Sequence, residues 1–296
     1  MTAPPPFALG QEVTAEPESH PWVVTLTYNY VGSGATMRRC IRTIRRADQG
    51  GWSGYAGRRE GEGRVPMVFD PMYFVFMIPG LLFMLWAQSK VKGNYAKYSK
   101  VRNDQGLTGA QTARHVLDSA GLMNVPIESI PGDLTDHYDP RKRVLRLSQG
   151  VYGVPSVAAM GIAAHEAGHA IQHAKAYAPL KVRTAIVPAV GIGSNFGFLV
   201  LFAGILLNNP QIAWVGVALF ALATVFALVT LPVEFDASRR AKQALASAGL
   251  VTVQEGKGVA KVLDAAAWTY IAGFAASLLT LLYYVSLVTG MRGREE

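Results

Sequence analysis

Two histidines four residues apart, with a glutamate beside the first, stand at His165-Glu166-Ala167-Gly168-His169. The surrounding stretch, from about Ser156 to Ala178, is apolar and alanine-rich and reads as a helix. On a helix the two histidines share one face with about 6 Å of rise between them, so both imidazoles can reach one ion while Glu166 reaches a water beside it. This HExxH arrangement is the core of a zinc hydrolase, in which Zn2+ is the implied cofactor. Catalytic zinc commonly has three protein ligands and one open position, so a third ligand is needed.

His173 lies further along the same helix, about 12 Å of rise beyond His165, too far to meet two other imidazoles within ~2.1 Å of an ion. It also fails the metzincin spacing HExxHxxGxxH, which would put a histidine where this chain has Lys175. His173 therefore reads as structural or as a support to the ligands. His115 and His137 fall in soluble stretches, and neither sits beside a second acid on a predicted helix. Glu234, in Leu231-Pro232-Val233-Glu234-Phe235-Asp236, stands at the shoulder of an apolar block. An acid there is costly unless it is partnered by metal or snorkels to water. The predicted zinc set is His165, His169 and Glu234, a gluzincin-like arrangement with a distal glutamate ligand. Zinc so held would lower the pKa of its water toward ~7 and polarise the scissile carbonyl, with Glu166 as general base rather than ligand. The oxyanion needs a further donor, for which His137, Tyr152 and Arg239 are candidates by residue type.

The elements that must hold these residues are mostly hydrophobic. Of 296 residues, 50% are hydrophobic and only 16% are charged, and the apolar residues gather in long blocks. Pro71 to Gln88, Thr184 to Leu207, Gln211 to Pro232 and Ala265 to Gly290 each approach the ~20 residues a membrane helix needs, and none contains a charged side chain. The fold class expected is a mainly α integral membrane protein with a small β-hairpin or sheet. Its catalytic region covers about 89–183 and 233–264, and a short tail spans 291–296. A single cysteine, Cys40, excludes an intramolecular disulfide and a cysteine-based zinc knuckle. The net charge of +8 is spread over loops with no aromatic-interleaved basic motif, so no nucleic-acid partner is expected.

Charge here reads as topology. Lysines and arginines follow the first block, precede the second and fill the connection between the third and fourth, whereas Asn208-Asn209-Pro210 carries none. By the positive-inside rule the HExxH region and the loop from Arg239 to Lys261 are cytoplasmic. The expected location is a bacterial inner membrane, crossed several times, with membrane proteins or peptides near the bilayer as substrates.

Residues 1–66 open on Pro4-Pro5-Pro6, end in the glycine- and arginine-rich run Gly50 to Arg64, and show no sustained apolar period. They read as a poorly ordered leader, or as the product of start-site choice with Met67 as the genuine start. An ordered accessory segment is the alternative. They lack the pattern of a secretory signal.

Between the first two blocks, Thr108-Gly109-Ala110-Gln111 resembles a capping box for a helix that runs to Ala120 and stops at Gly121. Val125 to Ile130 and Val144 to Leu147 read as strands around the turn-like Asp139-Pro140-Arg141-Lys142. A strand just before the HExxH helix could offer its free edge to an extended peptide. An ordinary hairpin covering the core is the plainer reading. Helix signals resume after Pro232 and end at Gly249.

With the HExxH segment, the apolar hairpin and Glu234-Phe235-Asp236-Ala237-Ser238 in place, the chain resembles the neutral zinc metallopeptidases of bacterial membranes, the YugP-like proteins. Phe69-Asp70-Pro71-Met72-Tyr73, Tyr98-Ser99-Lys100-Val101, Asp136-His137-Tyr138-Asp139-Pro140 and Ala265-Ala266-Ala267-Trp268-Thr269-Tyr270-Ile271-Ala272 carry the resemblance further, over about Met67 to Gly290. The family is itself similar to the HtpX-like membrane proteases, whose third ligand is the glutamate of an ExxxD motif. Glu234 matches that glutamate, but Ser238 occupies the aspartate position, and Asp236 lies roughly 200° around the helix from Glu234. The resemblance implies a membrane zinc endopeptidase. An ATP-driven FtsH-like enzyme shares HEAGH, but no G-x-x-x-x-G-K-[ST] segment is present. A zinc hydrolase of a non-peptide amide or lipid, and a non-catalytic membrane scaffold or adaptor, are the other readings. Retention of Glu166, which a structural zinc site does not need, speaks against the scaffold.

Overall fold

The computed structural model describes residues 23–31, 37–46, 52–54 and 71–292. The chain divides into two compact units, Met1–Pro66 and Met67–Glu296. In the first, strands β1 (Val23–Val31), β2 (Met37–Arg46) and β3 (Trp52–Gly54) form an antiparallel sheet in that order. Among the described residues of this unit, Val23 stands opposite Arg45 and Val31 opposite Met37. The β-branched and aromatic content of Val23–Val31 favours a strand without needing an apolar period. The Pro4–Pro6 run, most of Gly50–Arg64, and Met67 to Asp70 lie outside the described residues.

The second unit is mainly helical. Its long helices are α1 (Pro71–Tyr98), α5 (Ala178–Leu206), α6 (Pro210–Ser247) and α7 (Val253–Arg292). All four are long and apolar enough to cross a membrane. Phe74, Val75, Leu81 and Leu82 of α1 and Phe198, Leu199 and Phe202 of α5 point outward. Outward apolar side chains of that density suit hydrocarbon rather than water, and a helix satisfies its own backbone there.

Each helix outruns the apolar block that announced it. Helix α1 continues past Gln88 to Tyr98, and α5 begins at Ala178 rather than Thr184. Asn209 accepts from the Gln211 and Ile212 amides to start α6, and a reciprocal Thr252–Glu255 box starts α7 well before Ala265. Pro232, expected to end the third block, is absorbed within α6. Glu234 therefore sits inside a continuous helix, and Ser238 lies one turn further along it.

The remaining elements form a layer around the HExxH helix: α2 (Gly109–Ser119), β4 (Ile127–Ile130), β5 (His137–Asp139), β6 (Val144–Ser148), α3 (Gln149–Tyr152) and α4 (Val157–Ala174). The capping box on α2 is present as expected: Gln111 N–H donates to Thr108 Oγ1 and the Thr108 amide to Gln111 Oε1. The strand order is β4-β6-β5, with β4 and β6 parallel and β5 antiparallel to β6. This corrects the expected hairpin. Val144–Ser148 is the central strand and has no free edge; the edges are β4 and the short β5, of which Asp139 falls in the turn-like segment. Parallel pairing of β4 with β6 leaves the second edge of β6 open, and β5 fills it. Buried Ala159, Met160, Ala163 and Ala167 of α4 pack with Val116 and Leu117 of α2, Leu145 and Leu147 of β6 and Leu245 of α6 in one core.

Helices α5 and α6 form the expected antiparallel hairpin and meet at glycine. A methyl on Gly216 would lie 2.3 Å from the Leu201 amide nitrogen, and one on Gly204 2.3 Å from that of Ala213. Small residues at such crossings let backbones pack directly. Gly216→Ala should therefore destabilise the protein in detergent by about 1–3 kcal/mol, as overpacking of a close contact does. Gly191→Ala, also on α5 but in open space, should leave the melting temperature unchanged or slightly raised. Thermal unfolding of the two variants beside the parent checks this.

Candidate metal centre

Helix α4 starts where the Ser156 hydroxyl accepts the Ala159 amide at 3.1 Å, and it runs unbroken through the motif, as the spacing required. His165 and His169 present edge-to-face rings 4.8 Å apart. Helix α6 crosses beside them. A methyl on Gly168 would lie 2.7 Å from the Ala237 carbonyl oxygen, so only glycine permits this approach of α4 to α6. The closeness brings Glu234 onto the pair. Its Oε2 stands 3.3 Å from His165 Nε2 and 3.5 Å from His169 Nε2.

Hydrogen bonds behind the imidazoles decide which nitrogen faces the centre. Gln172 donates from Nε2 to the Val233 carbonyl at 2.7 Å and to Asp236 Oδ2 at 2.9 Å, both acceptors only. The amide is thereby oriented, and its Oε1 must accept from His169 Nδ1 at 3.0 Å. His169 then carries its proton on Nδ1 and turns the Nε2 lone pair to Glu234. His165 Nδ1 lies 3.1 Å from the Ser238 hydroxyl, which can accept from the same tautomer. Lone pairs converging with a carboxylate oxygen repel one another until a cation stands among them. Two bonds of ~2.1 Å at a tetrahedral angle put ligand atoms roughly 3.4 Å apart, close to the separations here. The donor set fits zinc. Among the described residues, His165, His169 and Glu234 form the one group of three or more such side chains placed to share an ion, with ligand atoms within 4.8 Å of one another.

The departure from ExxxD is resolved by division of labour. Ser238, in the aspartate position, supports His165. Asp236 supports His169 through Gln172 and is itself held by Arg239 and Arg240. Arg239, a candidate oxyanion donor, is committed to that pair. Tyr152, another, lines no cavity of the centre. His137 does line one, with Nδ1 at 2.8 Å from the Thr135 carbonyl.

Glu166 is buried and its Oε2 accepts the Tyr138 amide of β5 at 3.0 Å. The Tyr138 hydroxyl lies 2.9 Å from His173 Nδ1. His173 thus clamps the edge strand to the end of α4 and does not face the ion, as its spacing predicted. Asp136, just before β5, is fixed by the Ser148 amide at 2.8 Å and by the Ser148 hydroxyl. Burial pushes its carboxyl above the ordinary range, against the lowering pull of those two bonds.

Three residues at the centre escaped sequence reading. Gln172 lies one turn from His169 on the same helix face, a spacing that could have revealed it. Arg183, read as topological charge, donates to Glu234 Oε1 at 3.1 Å. Tyr270, inside the fourth apolar block, lies against Glu234 and within electrostatic reach of Glu166. Nothing local in the sequence marks either of these two. A cavity of about 450 Å3 collects Glu166, His169, Glu234, Arg183, Tyr270 and the outer side of β5.

Residues 73–289 match the family profile described as "Putative neutral zinc metallopeptidase". The chain is also 47% identical over 226 residues to "Putative membrane protease YugP" of Bacillus subtilis (strain 168), an alignment covering 76% of this chain and 100% of that protein. No solved structure matches the chain.

Removing a support should weaken the metal site without abolishing it, whereas removing a ligand should abolish it. Zinc affinity, read by competition with a chelator, is expected to fall about 10- to 100-fold in Ser238→Ala and in Gln172→Ala. Glu234→Ala should purify with little zinc and His173→Ala with a full complement. Full zinc in Glu234→Ala would overturn the ligand assignment.

Proposed function

The chain belongs to the neutral zinc metallopeptidase family, and on that footing we propose that its 67–290 region is a membrane-embedded zinc endopeptidase whose general base is Glu166. The observation that supports this most is the single cavity shared by Glu166, the ligands His169 and Glu234, and the outer side of the edge strand β5. A hydrolytic centre in a cavity walled by β5 suits an extended peptide.

His165, His169 and Glu234 would hold the zinc, which when bound supplies Lewis acidity for the scissile carbonyl and for the attacking water. The chain's own groups do the rest. Glu166 takes the water's proton on Oε1, the oxygen that Tyr138 leaves open, and passes it to the leaving amine. The Tyr138 amide on Oε2 fixes the carboxylate's rotamer, and the Tyr138–His173 hydrogen bond holds that amide in place. Gln172 and Ser238 keep both imidazoles in one orientation, so little reorganisation accompanies the reaction. Arg183 neutralises the second oxygen of Glu234 and stands on the cavity wall where a developing oxyanion would need a donor.

The site is further proposed to face the cytoplasm of a bacterial inner membrane, with membrane proteins or peptides near the bilayer as substrates. The bias of lysine and arginine toward the segments flanking the HExxH region supports that orientation.

Glu166→Gln should keep its zinc and lose chelator-sensitive cleavage of a quenched peptide by about 10²- to 10⁴-fold, because the amide preserves shape but cannot take a proton. Undiminished cleavage by this variant would remove Glu166 from the mechanism. For orientation, a Cys40→Ser background with Lys92→Cys should react with an impermeant maleimide only after the cells are opened. Labelling of intact cells would reverse the topology.

A further inference from the structure

A second cavity, of about 370 Å3, opens on the other side of the centre. It shares Asp136, Glu166 and Tyr270 with the first, so these three residues form the divide between two chambers that meet at the base. The first chamber is bordered by His169 and by Arg141, Arg183, His137 and Asp139. The second is bordered by His165; Val91 of α1, Ile162 of α4, and Val262, Leu263 and Ala266 of α7 give it a mostly apolar lining, with Gln88 and Lys92 of α1 and Thr269 of α7 as polar members. Three helices thus converge to make a chamber that ends at the general base. Most of its lining is apolar, and Ala266 contributes only a methyl group to it.

We propose that this second chamber is the specificity subsite of the enzyme and takes one large apolar side chain of the substrate, at a position directly flanking the scissile bond. The proposal rests on the peptidase reading above. A bond held over Glu166 has its two sides in two chambers of different chemistry. An apolar side chain is removed from water in one, while the other mixes the charged Arg141, Arg183 and Asp139 with Leu180, Val187 and Phe226 and can hold the polar main chain. Ala266 sets the size of residue admitted, and Val91 faces the same space from the opposite wall.

The test is cleavage by the full chain, in detergent with zinc, of quenched peptides varied to Gly, Ala, Leu, Phe, Asp or Lys at each position around the bond. At one flanking position Leu and Phe should exceed Gly and Asp in kcat/KM by about tenfold or more, the discrimination an apolar pocket gives. Ala266→Phe should lower the Leu and Phe peptides about tenfold while the Gly and Ala peptides stay within about a factor of two. Val91→Phe, which fills the chamber from α1, should do the same if Ala266→Phe does not fold. A flat profile at both flanking positions, or an equal loss for all peptides in a folded variant, would overturn the subsite. Fluorescence anisotropy of the labelled Leu and Gly peptides on Glu166→Gln separates this from failure of the peptidase reading. Preferential binding of the Leu peptide that Ala266→Phe or Val91→Phe removes supports the chamber even if nothing is cleaved. Equal binding of both peptides overturns it even if cleavage is robust.

Discussion

A carboxylate withdrawn from water at the edge of an apolar stretch of helix governs this molecule. Glu234 is 2% exposed on α6, and a buried charge without partners costs several kcal/mol even after relaxation. Both of its oxygens are engaged: Oε1 by Arg183, Oε2 by the Nε2 atoms of His165 and His169. The first partner balances charge, and the second set is placed to share a metal ion with it. Because the imidazole lone pairs cannot satisfy a carboxylate by themselves, the arrangement is complete only with a cation among the three. The same burial that makes the acid expensive makes the site a strong one for a divalent ion.

That demand propagates outward. Helix α4 must lie close enough to α6 for the contact to form, and Gly168 against the Ala237 carbonyl is the concession that allows it. The imidazoles must each keep a proton away from the centre, which the Asp236–Gln172–His169 chain and the Ser238–His165 pair accomplish. The supporting groups lie on the same two helices as the ligands they support, so the ligands and their orientation form one packed unit. Glu166, which points elsewhere, is held by a different element, the edge strand β5, through the Tyr138 amide. The group placed to share a metal ion and Glu166, the proposed base, thereby rest on separate parts of the fold.

The membrane sets the boundaries of the centre. Helices α5 and α6 carry Arg183 and Glu234 at the ends of their most apolar stretches, and α7 carries Tyr270 inside its own. Long helices with caps outside the hydrophobic blocks are what let a single rigid element serve as membrane span and as wall of the site. The α5–α6 hairpin, closed at Asn208-Asn209-Pro210 and packed through Gly204 and Gly216, fixes the distance between Arg183 and Glu234.

Much of this was legible in the chain itself, because the relevant information is local. The periodicity of a helix puts His165 and His169 on one face and keeps His173 off the ion, and an uninterrupted apolar block announces a span. Glu234 could be singled out because an acid at the edge of such a block is anomalous by itself. Other features lay beyond the reach of local pattern. Arg183 looks like any basic residue flanking a span, and Tyr270 like any aromatic residue within one; only the packing of α5 and α7 against α6 turns both toward Glu234. The strand order β4-β6-β5 depends on which strands pair across a long connection, so the edge beside the metal belongs to three residues too few to show an alternation. Pro232 reads as a helix end until the flanking turns hold α6 continuous. Ser238 stands where the related pattern has an aspartate, and its role emerges only when His165 is brought within 3.1 Å of its hydroxyl. Spacing along one helix fixes what its own side chains can share, whereas partners on different helices are chosen by how those helices pack.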